Sequence, residues 1–397
     1  MVNLEGDFMK NMKKILLVLL TILLTSQCLI ASPKALMEED IDSDNEIINL
    51  DEEGIYDVDN TKVDTKGPLR VSARNAIAID AQSKQVLWDQ KGYEIVPMAS
   101  TTKILTSLIA INYGDLDRKV TISKNASSIR GSTVGYKAGE EITMRELLFG
   151  LMFRSGNDAA IAIAEDIGGS IEGFANIMND FARSIGVLNS HFESPHGLDS
   201  QKHYSSAYDL AILAAKGMES EVFREIVGEK TILKDKYDFT RDYQNINKIL
   251  YRIPGANGVK TGYTGQAGKC LVSSVNHDGR NIIIVVLNCV DRWNQTEKIY
   301  NYVISAHTLK AISKKELVEN EGFMSLGAII EDEEFKYGYK ENDSLEVEVF
   351  KPSIEVKEGD VLGKIILKDN NKERYKTPLK SNTNIGAKEI ERVIPYT

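Results

Sequence analysis

The chain has 397 residues, 42% of them hydrophobic and 27% charged, with a formal net charge of −10 at pH 7. That length and apolar content supply a full hydrophobic core spread over two or three domains, which excludes a wholly disordered chain, and the acidic balance excludes the basic face of a nucleic-acid-binding protein. The charge is uneven: residues 36–66 hold twelve Asp and Glu against Lys62 and Lys66, and residues 1–35 carry +2, so −10 + 10 − 2 leaves about −2 for the body from 67 onward.

Residues 1–35 read as a secretory signal, with Lys10, Lys13 and Lys14 ahead of the apolar run "ILLVLLTILL" and small residues following near Ala31 and Ala35. The run is too short for a comfortable membrane span. The cleavage zone includes Pro33, which leaves an uncleaved N-terminal anchor as the alternative, and Gln27 before Cys28 fits a lipidation site badly; either way the body is expected to work outside the cytoplasm, as a secreted or wall-associated protein. Residues 36–66 are too acidic and too poor in apolar side chains to order themselves, and read as a solvated spacer or pro-segment.

From residue 67 the pattern becomes that of a folded domain. "NAIAIDAQSKQVLWDQ", 75–90, alternates about a polar turn and predicts an edge hairpin. A helical block follows, starting near Ser100 and continuing with "TMRELLFGLMF", "DAAIAIAEDIGG" and "IEGFANIMNDFARSIG"; in the last, Ile171, Phe174, Ala175, Met178, Phe181, Ala182 and Ile185 share one face. Strands are predicted again at 256–264, 268–276 and 281–290, then a closing helix at 293–311. Strands, helices, then strands again imply an α+β fold, with an antiparallel sheet assembled from both ends of the domain and helices packed on it. Beyond about 315, "SLEVEVF" and "IEVKEGDVLGKIIL" predict a small all-β domain reaching residue 397. No internal repeat is evident.

The body keeps two cysteines, Cys270 and Cys289, on successive strands. A tight turn at Asp278 and Gly279 would pair Cys289 with about position 268, so two buried free thiols are expected rather than a disulfide.

Three short motifs carry chemistry. In "PMASTTKILTSLIA", Ser100 and Lys103 stand one turn apart at the start of an apolar helix, where a lysine must lose water. A neutral amine there accepts the hydroxyl proton, and the helix N-terminus favours developing negative charge. "RSGNDAA" places Ser155 and Asn157 in a short turn between helices, and "GVKTGYTGQAGKCL" places Lys260, Thr261 and Gly262 on a strand, where the glycine admits a close backbone approach.

In this order, Ser-x-x-Lys, Ser-x-Asn and Lys-Thr-Gly form the signature of penicillin-interacting serine enzymes. Together with "HGLDSQKHYSSAYDLAIL", residues 70–310 closely resemble the low-molecular-weight D-alanyl-D-alanine carboxypeptidases, peptidase family S11; residues 320–385 resemble that family's C-terminal β domain more weakly. The resemblance implies a β-lactamase/transpeptidase-like domain (67–314) with a helical subdomain, followed by the small β domain (315–397). It implies Ser100 as nucleophile on the carbonyl between two D-alanines, Lys103 as general base, and Ser155 as a proton relay to the leaving amine. Asn157 would hold the substrate amide, and Lys260, Thr261 and Arg292 would serve the terminal carboxylate, with the backbone N–H groups of Ser100 and Tyr263 as oxyanion hole. The implied partners are a peptidoglycan stem peptide ending in D-Ala-D-Ala and β-lactams as covalent inhibitors, with no metal or organic cofactor.

Two features depart from that family. Its C-terminal amphipathic membrane helix is not evident in "GAKEIERVIPYT", which carries Pro395, and the acidic leader is longer than the pattern needs. Three rival readings are a class A β-lactamase using Glu172 of "EGFAN", a zinc peptidase using His191, Glu193, His196 and His203, and a penicillin-binding sensor without turnover. Glu172 falls inside a strongly periodic helix, and the histidines lack a His-Glu-x-x-His helix, so "HFESPHGLDSQKH" is expected to be a structural loop.

Overall fold

A computed structural model describes residues 69–315, 334–350 and 355–386. The signal, the acidic leader and residues 387–397 lie outside the described residues. Strands β1 (Asn75–Asp80) and β2 (Val86–Gln90) form a hairpin, and α1 (Lys103–Tyr113) opens the helical block. It continues through β3 (Lys119–Thr121), α2 (Lys124–Ser128), β4 (Glu141–Thr143), α3 (Met144–Phe153), α4 (Asn157–Gly168), α5 (Ile171–Ser184), α6 (Ala207–Gly217) and α7 (Glu221–Gly228). After the short strands β5 (Thr231–Ile232) and β6 (Tyr243–Gln244), the chain returns to the sheet as β7 (Ala256–Thr264), β8 (Gly268–His277) and β9 (Arg280–Leu287), covered by α8 (Arg292–Ala306). Strands β10 (Thr308–Ser313), β11 (Glu334–Tyr339), β12 (Asp343–Val349), β13 (Val361–Asp369) and β14 (Lys372–Lys380) complete the order.

The main sheet runs β2-β1-β9-β8-β7, every neighbour antiparallel, with the β1–β2 hairpin at one edge and β7 at the other. Alternation explains its two buried faces. Ile77, Ile79, Val272, Ile283 and Val285 face the helical block, whereas Ala76, Ala78, Leu271, Ile282 and Ile284 face α8 through Trp293, Ile299 and Val303. Serine and threonine side chains start several helices: Thr143 accepts from the Glu146 N–H, Ser170 from Gly173, Ser206 from Asp209 and Ser220 from Phe223.

The turn between β8 and β9 has positive φ at both Asp278 (50°) and Gly279 (82°), the geometry that closes a two-residue hairpin. It sets the register that separates the thiols. Leu271 faces Val286, the Cys289 N–H donates to the Lys269 carbonyl, and Cys270 and Cys289 enter different cores as buried thiols that do not bond each other.

One boundary differs from expectation. The closing helix, predicted to reach 311, ends at Ala306, and Thr308–Ser313 forms β10, paired with β11. Helical periodicity fails there because β10 gains a strand partner that lies beyond residue 333 in sequence. The β12-β13-β14 sheet packs Ile365, Leu362 and Leu379 into a third core with Ile312 and Phe335. Its neighbour β11 meets the β1–β2 turn, where the Gln85 side chain donates to the Gly338 carbonyl (3.1 Å) and accepts from the Gly338 N–H (2.6 Å).

Candidate active site

Ser100 sits in a 3-10 turn, Ala99–Thr102, and Lys103 is the first residue of α1. The nucleophile candidate is therefore presented by the tight turn that enters the helix, and Ala99 before it takes a left-handed φ of 51° to make the bend. Lys103 is fully buried, and its Nζ donates to Asn157 Oδ1 (2.7 Å) and the His196 carbonyl (2.8 Å) and lies 2.8 Å from Ser100 Oγ; with those two acceptors taking the hydrogens of a neutral amine, its lone pair is left to face the Ser100 hydroxyl. Ser100 itself is half-buried, so the hydroxyl is open on one side and backed by the amine on the other. Lys103 is thus a lysine without water, held beside a serine.

Ser155 and Asn157 lie where α3 gives way to α4. Ser155 is buried with φ of 57°, and Asn157 begins α4 after Gly156. The Asn157 amide is committed within the protein: Oδ1 accepts from Lys103 and Nδ2 donates to the Arg130 carbonyl (2.7 Å). Asp158 next to it accepts from the backbone N–H groups of Val134, Gly135 and Tyr136, which anchors the 130–136 loop over the N-terminus of α4. A second buried carboxylate, Glu146 of α3, accepts from the Thr240 N–H, the Thr240 hydroxyl and the Tyr243 hydroxyl, and Tyr243 lies 2.7 Å from the Tyr136 hydroxyl. These paired carboxylates hold the loops of the helical side in place.

The third motif lies on edge strand β7. Lys260 is buried, its Nζ donating to the Thr261 carbonyl (2.9 Å), and Thr261 is buried beside it. Gly262 has a specific reason to lack a side chain: a Cβ there would stand 3.1 Å from the Ser100 nitrogen, 3.2 Å from Ala99 Cβ and 3.2 Å from the Thr101 nitrogen. The glycine lets β7 press on the serine turn itself. It thereby brings the Ser100 N–H close to the strand that carries Tyr263. Arg292, at the start of α8, is fully buried; its Nη1 donates to the carbonyls of Gly262 (3.2 Å) and Cys270 (3.3 Å), with its guanidinium 4.7 Å from the Trp293 ring centre. It supports β7 through the backbone of the Lys-Thr-Gly stretch.

The loop "ESPHGLDSQKH" supplies what motif reading missed. Besides the His196 carbonyl on Lys103, Gly197 takes φ of 87° and packs so tightly that a Cβ would lie 2.0 Å from the Ala99 carbonyl oxygen. His203 Nδ1 accepts from the Glu193 N–H (3.0 Å), which places the ring proton on Nε2, and Nε2 then donates to Thr102 Oγ1 (2.8 Å). The Thr102 hydroxyl in turn donates to the Ala99 carbonyl (2.8 Å). His196 Nδ1 accepts from the Leu198 N–H (3.1 Å). Both imidazoles are thus engaged in holding the loop. A backbone carbonyl has no signature in sequence; the only signals were Gly197 and the two buried histidines. Glu172, the residue a class A β-lactamase reading requires, is an exposed first-turn residue of α5.

Burial drives the pKa of His196 down to about 3 and that of His203 to about 4; burial likewise takes His307 to about 4. Each imidazole stays neutral in the folded protein but takes a proton near pH 6.5 once unfolded, so the unfolded state binds more protons as pH falls. Stability is therefore fully present above pH 6.5 and falls as pH drops toward 4, by up to about 1.4 kcal/mol per pH unit for each of these histidines. The melting temperature is expected to decrease clearly from pH 7 to pH 5, before most carboxylates titrate. A flat profile over that window would show the imidazoles to be solvated.

A buried lysine touching a half-open serine, a second serine at a helix junction and a Lys-Thr-Gly edge strand define the class: a serine acyl-transfer enzyme on a sheet flanked by helices. The sequence description of the D-alanyl-D-alanine carboxypeptidases, peptidase family S11, matches residues 61–291, and the chain belongs to that family. It is similar to D-alanyl-D-alanine carboxypeptidase DacF of Bacillus subtilis, 35% identical over 256 residues, 62% of this chain and 66% of that one. The similarity to DacC of Escherichia coli is 33% over 249 residues, 58% of this chain and 61% of the other. The matched region thus spans about two thirds or less of each relative. Among solved structures, the D-alanyl-D-alanine carboxypeptidase of Mycobacterium tuberculosis superposes with a TM-score of 0.57 at 30% identity, covering 60% of this chain and 93% of its own. DacD of Francisella tularensis covers 81% of this chain and 95% of its own at a TM-score of 0.61 and 24% identity, a likeness of fold.

Proposed function

We propose that this protein is a serine D,D-carboxypeptidase that removes the terminal D-alanine of peptidoglycan stem peptides. The observation that carries the reading is the 2.8 Å contact between Ser100 Oγ and the fully buried Lys103 Nζ. Ser100 attacks the carbonyl of the penultimate D-alanine while Lys103 takes its proton. The negative charge that develops on the carbonyl oxygen faces the N–H groups of Ser100 and Tyr263. Collapse breaks the peptide bond, and the departing amine receives a proton by way of Ser155; water then hydrolyses the Ser100 ester and releases the shortened stem.

In this scheme Lys260 and Thr261 line the side on which the terminal carboxylate rests. Arg292 acts on that side through the Gly262 carbonyl (3.2 Å). Asn157 acts first by holding Lys103, since both ends of its amide already have protein partners. The signal-like N-terminus supports a reaction outside the cytoplasm, on the wall or the outer face of the membrane. Among the described residues no helix is long and apolar enough to cross a membrane.

The test is intact mass after incubation with benzylpenicillin, beside D-alanine release from a peptide ending in D-Ala-D-Ala. One stable adduct and D-alanine release, both lost in Ser100→Ala, are expected. An adduct without release would make the protein a sensor, and rapid drug turnover would make it a β-lactamase.

A further inference from the structure

The two oxyanion donors of this reading come from separate elements, the serine turn and the end of β7, and the loop that carries Asp199 touches both. Asp199, in the loop that already grips the serine turn, accepts from Thr264 Oγ1 (2.6 Å) through Oδ1 and from the Gln266 N–H (3.1 Å) through Oδ2. Thr264 Oγ1 also accepts from the Ala267 N–H (3.1 Å), so one carboxylate organises the whole β7–β8 turn directly after Tyr263. The same loop reaches the other wall three residues earlier, where the His196 carbonyl meets Lys103 (2.8 Å) and Gly197 lies against Ala99. Residues 196–199 therefore bridge the site from nucleophile to oxyanion strand in one short span.

Resting on the carboxypeptidase reading, we propose that Asp199 is a positioning residue for acylation: through Thr264 it fixes the Tyr263 N–H relative to the Ser100 N–H. Asp199 is itself exposed, whereas Thr264 is buried. Removing the carboxylate thus opens no cavity in the core; it takes one acceptor from the buried Thr264 hydroxyl and frees the strand end. The effect falls on the geometry of the tetrahedral intermediate rather than on ground-state binding, because the oxyanion forms only as the carbonyl is attacked.

The experiment compares Asp199→Ala, Asp199→Asn, Thr264→Val and the Asp199→Ala/Thr264→Val double variant, each by melting temperature, KM and kcat for D-alanine release, and the rate of acylation by benzylpenicillin. Asp199→Ala is expected to acylate about 10- to 100-fold more slowly, as a small misplacement of reacting groups does, with KM nearly unchanged and the melting temperature lower by no more than a few degrees. Asp199→Asn, which keeps one acceptor for the Thr264 hydroxyl, should recover most of the rate. The double variant should be no slower than the slower single, since both changes break one link. Unchanged acylation in Asp199→Ala, a fall in step with melting temperature, or additive losses in the double variant would overturn the proposal. Wild-type protein run alongside separates the two levels: no adduct on wild type overturns the carboxypeptidase reading and this inference together, while a normal wild-type adduct with an unaffected Asp199→Ala overturns this inference alone.

Discussion

Lys103→Met is expected to give a folded protein that acylates with benzylpenicillin roughly 10³-fold more slowly than wild type, within the range that a positioned general base contributes. Methionine preserves length and approximate volume in a site from which water is excluded, so the packing of α1 survives. What disappears is the single group that touches Ser100, Asn157 and the His196 carbonyl together. Two of those acceptors are left without their donor, a cost of about 1–3 kcal/mol per buried group, so the melting temperature should fall by several degrees without loss of cooperativity. Time-resolved intact mass separates the two effects. Acylation by Lys103→Met within about tenfold of wild type would show that the Ser100 proton goes elsewhere, because a general base is worth at least about 10²-fold.

Gly197→Ala is expected to be the most damaging single-methyl change. Its φ of 87° already disfavours any other residue, at about 1–2 kcal/mol, and the added Cβ would stand 2.0 Å from the Ala99 carbonyl oxygen and 2.6 Å from Thr102 Oγ1. Neither obstacle is the far end of a flexible side chain. The loop must move away from the serine turn, which draws the His196 carbonyl off Lys103 and breaks the His203–Thr102–Ala99 chain. A destabilisation of about 3 kcal/mol or more is expected, with low soluble yield and no acylation. Gly186→Ala is the internal control. Gly186 shares the positive φ, 83°, but a Cβ there meets nothing within 4 Å, so it should lose only the conformational part and stay active. Equal melting temperatures for the two variants would show that the Gly197 contact is soft.

Ordinary hydrogen bonding explains why part of the site was legible and part was not. The roles proposed for Ser100, Lys103, Ser155, Asn157, Lys260 and Thr261 rest on side chains, so their identities and spacing appear in the sequence, and the fold brings Ser100 and Asn157 each against Lys103. The His196 and Arg130 carbonyls, which hold Lys103 and Asn157, are backbone atoms that any residue carries. Gly262 was expected to admit a substrate backbone; its nearest neighbour is the serine turn of the protein itself. Arg292 was expected to help recognise the terminal carboxylate; its guanidinium is buried and bonded to the Gly262 carbonyl of β7.

By itself, the sequence determined the elements whose periodicity is local: β7, β8 and β9, the helices around Ser155, the hairpin register that keeps Cys270 and Cys289 apart, and the three motifs that name the chemistry. Only the tertiary structure decided where α8 stops, because β10 pairs with β11 across residues 316–333, and only it decided that residues 196–203 wrap the serine turn and tie it to β7. The physical reason is the same in both cases. A side chain's preference is written in its own few neighbours, whereas a strand partner or a carbonyl acceptor belongs to whichever distant segment the packed core brings within about 3 Å.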